Sequence, residues 1–156
     1  MIKLYKTSDG VTNYWETWAN DEKSGTIHWG QLGHRGESKI VETNYKKTVK
    51  KEVNERLEQG FNFIDDDDLV RLLIEFKVDD MGTADDLDKR NRLQSRMDET
   101  LGWTGLGHCD GGSIGSGTME VCCFVVDFEI AKRIIQDDLA DTGFSDYTRI
   151  FNEDEE

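Results

Sequence analysis

The stretch TIHWGQLGHRGES, Thr26–Ser38, determines how the first part of this chain of 156 residues is interpreted. It begins with alternating apolar and polar residues, which predicts a strand, because successive side chains of a strand point to opposite faces. Gly33 and Gly36 then bracket a basic tip formed by His34 and Arg35. The pattern is open to two interpretations: an ordinary hairpin, or a surface shaped to hold a ligand.

Three further segments near this stretch are predicted to be strands. They are rich in β-branched and aromatic residues, as strands are, and they cover residues 2–8, 12–20 and 38–42. The dipeptide Asp9-Gly10 between the first two is typical of a hairpin turn. The first part of the chain is therefore expected to form an antiparallel sheet.

A helix is predicted over residues 43–60. Four apolar residues recur there at every fourth position and form one stripe: Tyr45, Val49, Val53 and Leu57. Thr43 or Asn44 can cap the start of this helix, and Gly60 suits the left-handed position just after its end. The lysines beside the stripe are expected on a solvated helix face.

Charge is distributed unevenly along the chain. The sequence holds 19 Lys and Arg against 33 Asp and Glu, a formal net charge of −14. Residues 1–60 hold 10 basic and 9 acidic side chains, whereas residues 61–156 hold 9 and 24. Because Lys and Arg must neutralise phosphates when a protein binds a polyanion, such binding is not expected of the whole molecule. The two parts are expected to present different surfaces.

The run FIDDDD, residues 63–68, marks the expected boundary between the two parts. Four successive aspartates repel one another and cannot be buried together, so this piece is predicted to be exposed. A calcium-binding loop is excluded because no glycine stands at its sixth position and no glutamate at its twelfth. We expect a module over residues 1–62, an acidic linker over 63–68, an acidic domain over 69–152 and an acidic tail over 153–156.

The second part alternates strands and helices in a regular order. Alternating apolar residues predict strands over residues 69–78, 107–114, 118–126 and 146–151. Helices are predicted over residues 83–102 and 127–139, where Thr83 and Asp127 are suited to cap the first turns. The resulting order β-α-β-β-α-β fits a ferredoxin-like sandwich.

The glycine-rich segment 102–117 is predicted to be a bulged hairpin. Its glycines lead into a strand, whereas a phosphate-binding loop leads into a helix N-terminus. His108 and Cys109 are neighbours on an extended segment, so their side chains point apart and do not form a nucleophile with its base. The three cysteines follow no disulfide or metal-binding spacing and are expected to be reduced thiols. We therefore predict a protein that is not an enzyme and uses no cofactor and no metal ion.

No apolar run approaches the roughly 20 residues of a membrane span, and the start of the chain lacks the apolar core of a signal peptide. The sequence therefore predicts a cytoplasmic protein without a membrane partner.

The motif HWGQLGHRGESK at residues 28–39 is accompanied by YWETW at 14–18 and by a helix that ends in LEQGF at 57–61. In this order and spacing, the three pieces resemble the WGR module of poly(ADP-ribose) polymerases and of several bacterial proteins, over roughly residues 2–61. The resemblance implies a module that holds DNA ends and nicks and contacts neighbouring domains. The expected fold class is α+β: a WGR-like antiparallel β-sheet with one helix, then a ferredoxin-like βαββαβ sandwich.

In that family the tryptophan packs against a terminal sugar, a role that falls to Trp29 here, with Gly30 allowing close approach. Aromatic faces stack on sugars or bases while nearby cations hold phosphate, and the candidate cations are His34, Arg35, Lys39, Lys46 and Lys47. Gln31 stands where the family has arginine, and a neutral amide cannot make the bidentate contact of a guanidinium. The alternative is a scaffold in which Trp29 is simply a core residue.

Two functions are therefore hypothesised. The first is a non-catalytic binding or regulatory protein, in which residues 1–62 recognise a nucleic-acid end or a protein partner and the acidic second domain modulates that binding. The second is an immunity or antitoxin-type inhibitor that neutralises a basic protein through charge complementarity. Its candidate contacts are Asp65, Asp66, Asp67, Asp68, Asp85 and Asp86. A third, weaker alternative is an enzyme that uses the glycine-rich segment and His108.

Overall fold

The computed structural model describes residues 1–156 and shows a mixed α/β chain with two four-stranded antiparallel sheets and three α-helices. The elements follow one another along the chain as β1 (Ile2–Ser8), β2 (Val11–Ala19), β3 (Gly25–Gln31), β4 (Glu37–Val41), α1 (Tyr45–Glu58), β5 (Val70–Lys77), α2 (Ala84–Gly102), β6 (Gly107–Gly115), β7 (Thr118–Val125), α3 (Phe128–Leu139) and β8 (Arg149–Asn152).

The first sheet is a meander with the strand order β1-β2-β3-β4. Its first hairpin pairs Ser8 with Val11, and both residues between them have positive φ, 54° at Asp9 and 77° at Gly10. This is the backbone geometry of the tight turn whose twist matches that of the strands, so the predicted turn is confirmed. Trp15 lies opposite Trp29, which in turn lies opposite Glu37.

Helix α1 covers one face of the first sheet. Leu4, Trp15 and Ile27 are buried beneath it, and Val53 of the helix packs against this small core. Asn44 precedes the helix with a φ of 54°, and its side chain makes no capping hydrogen bond, so the predicted side-chain cap is absent. Gly60 has a φ of 95°, as predicted for the residue after the helix end.

The opposite face of the first sheet packs on the second half of the chain. Tyr5, Tyr14 and Leu32 belong to the same buried cluster as the core of the second sheet. The Tyr5 hydroxyl donates to the Gly105 carbonyl at 3.1 Å. A side chain at Gly105, where φ is +70°, would overlap the ring of Tyr14. The first sheet is thus held between α1 and the second half.

The second half follows the predicted order β-α-β-β-α-β, and its sheet has the strand order β6-β7-β5-β8 with antiparallel neighbours throughout. Alternate residues of the two central strands point to one face and are buried beneath both helices. These core residues include Leu72 and Ile74 of β5, Val121 of β7, Met97 of α2 and Ile135 of α3.

The predicted helix caps of the second half are confirmed. The Asp86 backbone N–H donates to the Thr83 hydroxyl at 3.1 Å and the Thr83 backbone N–H donates to the Asp86 carboxylate at 2.9 Å, which is a capping box. The Ile130 backbone N–H donates to Asp127 Oδ1 at 2.9 Å at the start of α3.

The glycine-rich segment is a bulged hairpin, as predicted. The register of β6 against β7 shifts between Cys109 and Gly112, and the φ of Gly111 in the bulge is 87°. The four aspartates of residues 65–68 are exposed, and the last three form a single 3-10 turn. No helix combines the length and the apolar character that crossing a lipid bilayer requires.

Candidate functional site

Trp29 lines a shallow groove of about 320 Å³ between the end of β3 and the C-terminal turn of α1. The alternation of β3 places Ile27 and Trp29 on the side of α1 and His28 on the opposite side. Ile27 is completely buried, whereas Trp29 is only partly buried. Part of the indole is therefore available to a ligand, while the rest packs against the small core under the helix.

Arg56 of α1 also lines this groove, together with Gly30, Gln31, Gln59 and Phe61. Its guanidinium donates to Gln59 Oε1 at 2.8 Å and makes no ion pair with a carboxylate. The groove therefore combines an aromatic face with a cation whose charge is not neutralised. Sequence reasoning missed this residue, although Arg56 stands seven positions after Val49 and so lies beside the apolar stripe of the helix.

The loop between β3 and β4 is held close to the sheet. The Tyr14 hydroxyl donates to the His34 carbonyl at 2.6 Å, and His28 Nε2 is hydrogen-bonded to the Arg35 carbonyl. A Cβ at Gly30 would lie 2.8 Å from Gly36 Cα, so the strand and the loop approach too closely for a side chain at this position. The side chains of His34 and Arg35 remain exposed.

A buried ion pair lies behind this loop. His28 Nδ1 is 2.7 Å from Glu16 Oε1, and the two residues are 1% and 3% exposed. Nε2 faces the Arg35 carbonyl and Nδ1 faces the Glu16 carboxylate, so both ring nitrogens have hydrogen-bond partners. The ring of Trp103 meets His28 edge-on at 5.1 Å between centroids. Neither ring nitrogen is free for a substrate, so the pair is structural.

The predicted cations are divided between two places. Lys39 Nζ lies 5.9 Å from the centroid of the Trp29 ring and forms an ion pair with Glu52 at 2.8 Å. Lys46 and Lys47 lie in the first turn of α1, ten and nine residues before Arg56, which corresponds to about 14–15 Å along the helix. The structure therefore gathers Trp29, Gly30, Gln31 and Lys39, but not the two helix lysines.

The predicted acidic residues are divided as well. β8 pairs with β5 so that Asn152 lies opposite Leu72, and Asp65–Asp68 precede β5, so both acidic segments lie at the same end of the second sheet. Arg71 binds both Asp154, at 2.8 Å, and Glu153, at 3.3 Å. Its hydrogen bond lowers the pKa of Asp154 below the ordinary value. We call these two segments, residues 65–68 and 153–156, the acidic patch.

Asp85 and Asp86 are not part of the acidic patch. They lie in the first turn of α2, which follows the other end of β5, and β5 spans 8 residues, or about 26 Å. Asp86 also closes the capping box of α2, so its carboxylate has a structural partner. No group of three or more His, Cys, Asp or Glu side chains is placed to hold a metal ion.

Comparison of the chain with protein-family models, with curated proteins and with solved structures finds no match. The groove and the acidic patch must therefore be interpreted from their own chemistry.

Proposed function

We propose that this protein is a non-catalytic binding protein whose first half, a WGR-like module, recognises the end of a nucleic-acid strand through the Trp29 groove. The proposal depends on one observation: the partly exposed indole of Trp29 lies in the same groove as the guanidinium of Arg56, which has no carboxylate partner. An aromatic ring can stack on a terminal sugar or base, and a guanidinium can bind a phosphate in bidentate fashion.

Arg56 supplies the charge that Gln31 lacks in this proposal. Both residues line the groove, so a cation from the helix takes the place of the arginine found in the strand of WGR modules. The meander β1-β2-β3-β4 with α1 on one face supports the WGR-like assignment. The order β6-β7-β5-β8, with both helices on one face, supports a ferredoxin-like second domain.

The acidic second domain would modulate this binding. Residues 61–156 hold 24 acidic and 9 basic side chains, so this half repels phosphates at long range. Binding is expected only at low salt and for strand ends, where stacking adds to the contact made by Arg56.

The test is fluorescence anisotropy with the full chain and a labelled, 5′-phosphorylated nicked duplex, over a salt series. The full chain is required because Tyr5 and Tyr14 are buried against the second half. Trp29→Ala and Arg56→Gln should each weaken binding about tenfold or more. Lys46→Gln is the matched control, because it removes one charge from the far end of α1. An absence of binding at low salt, or an equal loss in the control, would reject the proposal.

A second function, inhibition of a basic protein partner, is favoured by the acidic patch. Two acidic segments, residues 65–68 and 153–156, lie at the end of the second sheet where β5 begins, and Arg71 pairs there with both Glu153 and Asp154. Concentrated charge of one sign accelerates association with a partner of opposite charge and makes it salt-dependent.

An oligo-arginine peptide is a suitable probe for this second function. Calorimetric titration should show salt-dependent binding that is lost when Asp65, Asp66, Asp67 and Asp68 are all changed to Asn. The control changes four exposed aspartates outside the acidic patch to Asn and should retain binding: Asp79, Asp85, Asp137 and Asp141. Equal loss in both variants would indicate attraction by net charge alone and would reject the acidic patch as a specific site.

A further inference from the structure

Cys109 of β6 and Cys123 of β7 face each other directly across two antiparallel strands. Their Sγ atoms are 2.9 Å apart, well inside the sum of two sulfur van der Waals radii. Both side chains point into the core, where Cys109 is 5% exposed and Cys123 is completely buried. Two thiols held in this way are close to the geometry of a covalent bond between them.

The backbone around the pair suits a cross-strand disulfide. The Cys109 N–H donates to Asp98 Oδ1 of α2 at 3.1 Å, so it does not exchange a hydrogen bond with Cys123. The two residues therefore form a non-hydrogen-bonded pair, whose Cα atoms are about 4.5 Å apart, within the range found for disulfides.

The bulge beside Cys109 allows the two sulfur atoms to move closer together. A disulfide needs the two sulfurs about 2.05 Å apart, so they must approach by less than about 1 Å. The register shift between Cys109 and Gly112 leaves the backbone after Cys109 outside the regular ladder. A small rotation of the Cys109 side chain can then close the gap without disturbing β7.

The third cysteine cannot compete for this bond. Cys122 precedes Cys123 on β7 and points to the other face of the sheet, where it is partly exposed. Cys122 can react with external reagents, but it cannot reach Cys109 Sγ through the strand. It therefore provides an internal control in any oxidation experiment.

We propose that Cys109 and Cys123 are a thiol-oxidation site that forms a reversible intramolecular disulfide with a low-molecular-weight disulfide such as glutathione disulfide as the oxidant. The Cys109 thiolate attacks one sulfur of glutathione disulfide, which forms a mixed disulfide and releases one glutathione thiolate. The Cys123 thiolate then attacks Cys109 Sγ and releases the second glutathione. The protein loses two electrons and two protons, and glutathione disulfide becomes two molecules of glutathione.

The difference in burial between Cys109 and Cys123 determines which thiol reacts first. Cys109 lies on the edge strand β6 and is the more exposed of the pair, so glutathione disulfide reaches it when this strand opens locally, whereas Cys123 performs the second, resolving attack. The hydrogen bond with Cys109 and burial raise the pKa of the Cys123 thiol above its ordinary value. The resolving step should therefore become faster as the pH rises.

The disulfide would connect the two strands on either side of the glycine-rich bulge. Cys109 is also tied to α2 through Asp98, so the link restrains the helix against the hairpin. The oxidised chain should unfold at a higher denaturant concentration than the reduced chain, since the cross-link reduces the entropy of the unfolded state.

The experiment incubates the full chain in glutathione redox buffers of increasing oxidised fraction, quenches with acid, blocks free thiols with iodoacetamide in denaturant and measures the intact mass. The expected product has lost two hydrogen atoms, carries one blocked cysteine, and returns to three blocked cysteines after dithiothreitol. Protease cleavage after Glu120 separates Cys109 from Cys123, so the two fragments must remain linked until reduction.

Three variants complete the test. Cys122→Ser should retain the disulfide, whereas Cys109→Ser and Cys123→Ser should abolish it. Far-ultraviolet circular dichroism identifies a variant that has failed to fold. If Cys109→Ser or Cys123→Ser does not fold, the disulfide can still be detected in the wild-type chain and in Cys122→Ser. A product that carries only glutathione on Cys122, a dimer linked through Cys122, or three thiols that stay free in fully oxidised buffer would overturn the proposal.

Discussion

His28 Nδ1 and Glu16 Oε1 are 2.7 Å apart in a completely buried pair on the face of the first sheet that meets the second half. The pair lies directly behind the loop that carries His34 and Arg35, and the other ring nitrogen of His28 is hydrogen-bonded to the carbonyl of Arg35. A buried pair of this kind contributes to stability mainly because neither partner tolerates the loss of the other.

Glu16→Gln should lower the free energy of unfolding by about 1–3 kcal/mol, because it leaves the buried imidazole without its charged partner. His28→Gln should have an effect of similar size. The double variant should be less destabilised than the sum of the two single variants, since the second change removes a group that is already unpaired. Urea unfolding at neutral pH measures all three differences, and strictly additive values would contradict a direct coupling.

Gly105→Ala should be among the most destabilising glycine substitutions in the chain. Its φ is +70° and a side chain there would overlap the ring of Tyr14, so we expect a loss of at least about 2 kcal/mol. Gly143→Ala is the matched control, because nothing lies within 4 Å of the added carbon and its φ is not positive. Thermal unfolding should separate the two variants by several degrees. Similar melting temperatures would mean that the two halves are not packed tightly at Tyr14.

Tyr5 should make the folded state sensitive to alkaline pH. Burial, with smaller effects of Glu16 and Tyr14, raises the pKa of Tyr5 well above its ordinary value near 10. The unfolded chain therefore loses this proton first, and stability should fall above pH 10 by about 1.4 kcal/mol per pH unit.

Tyr5→Phe should reduce this alkaline sensitivity without abolishing it, because burial also raises the pKa of Tyr14. The variant should lose about 1 kcal/mol at pH 7, because the Gly105 carbonyl loses its hydrogen bond from the Tyr5 hydroxyl at 3.1 Å. Its stability should then depend less steeply on pH between about 10 and 11 than that of the wild-type chain. Denaturant unfolding across this pH range provides the comparison, and identical slopes would exclude Tyr5 as the responsible group.

Thr83→Ala should destabilise the protein by about 1 kcal/mol, because Thr83 accepts the hydrogen bond of the Asp86 N–H at the start of α2. Thr83→Ser keeps a hydroxyl in the same place and should restore nearly all of the stability. Chemical unfolding of the three proteins is a direct measurement. A serine variant as unstable as the alanine variant would mean that the methyl group, and not the cap, is important.

The local features of the fold were predictable because each depends on a few neighbouring residues. The turn at Asp9-Gly10, the caps at Thr83 and Asp127, and the bulge in the glycine-rich segment all follow from backbone preferences within a short window. Asn44 stands at the predicted cap position of α1, but its side chain makes no capping hydrogen bond. The positive φ of Asn44 turns the chain into the helix without such a hydrogen bond.

The candidate groove was predictable only in part. The motif around Trp29 indicated an aromatic residue beside glycines, and the structure places Gly30 and Gln31 in the same groove. Arg56 lies 27 positions further along the chain, and its place depends on how the end of α1 crosses the sheet. The predicted lysines at the start of α1 lie too far away, because a rigid helix separates its two ends by its full length.

The sequence by itself determined the order of strands, turns and helices and their bounds to within about three residues, and it determined the separation of acidic from balanced regions. These properties depend on residue types and on periods of two or about 3.6 residues, which operate over short distances. Only the tertiary structure decided which distant groups meet: Arg56 with Trp29, Arg71 with Glu153 and Asp154, and Cys109 with Cys123. Such contacts follow from strand register and from the packing of whole helices and strands. No short stretch of the chain determines either of these.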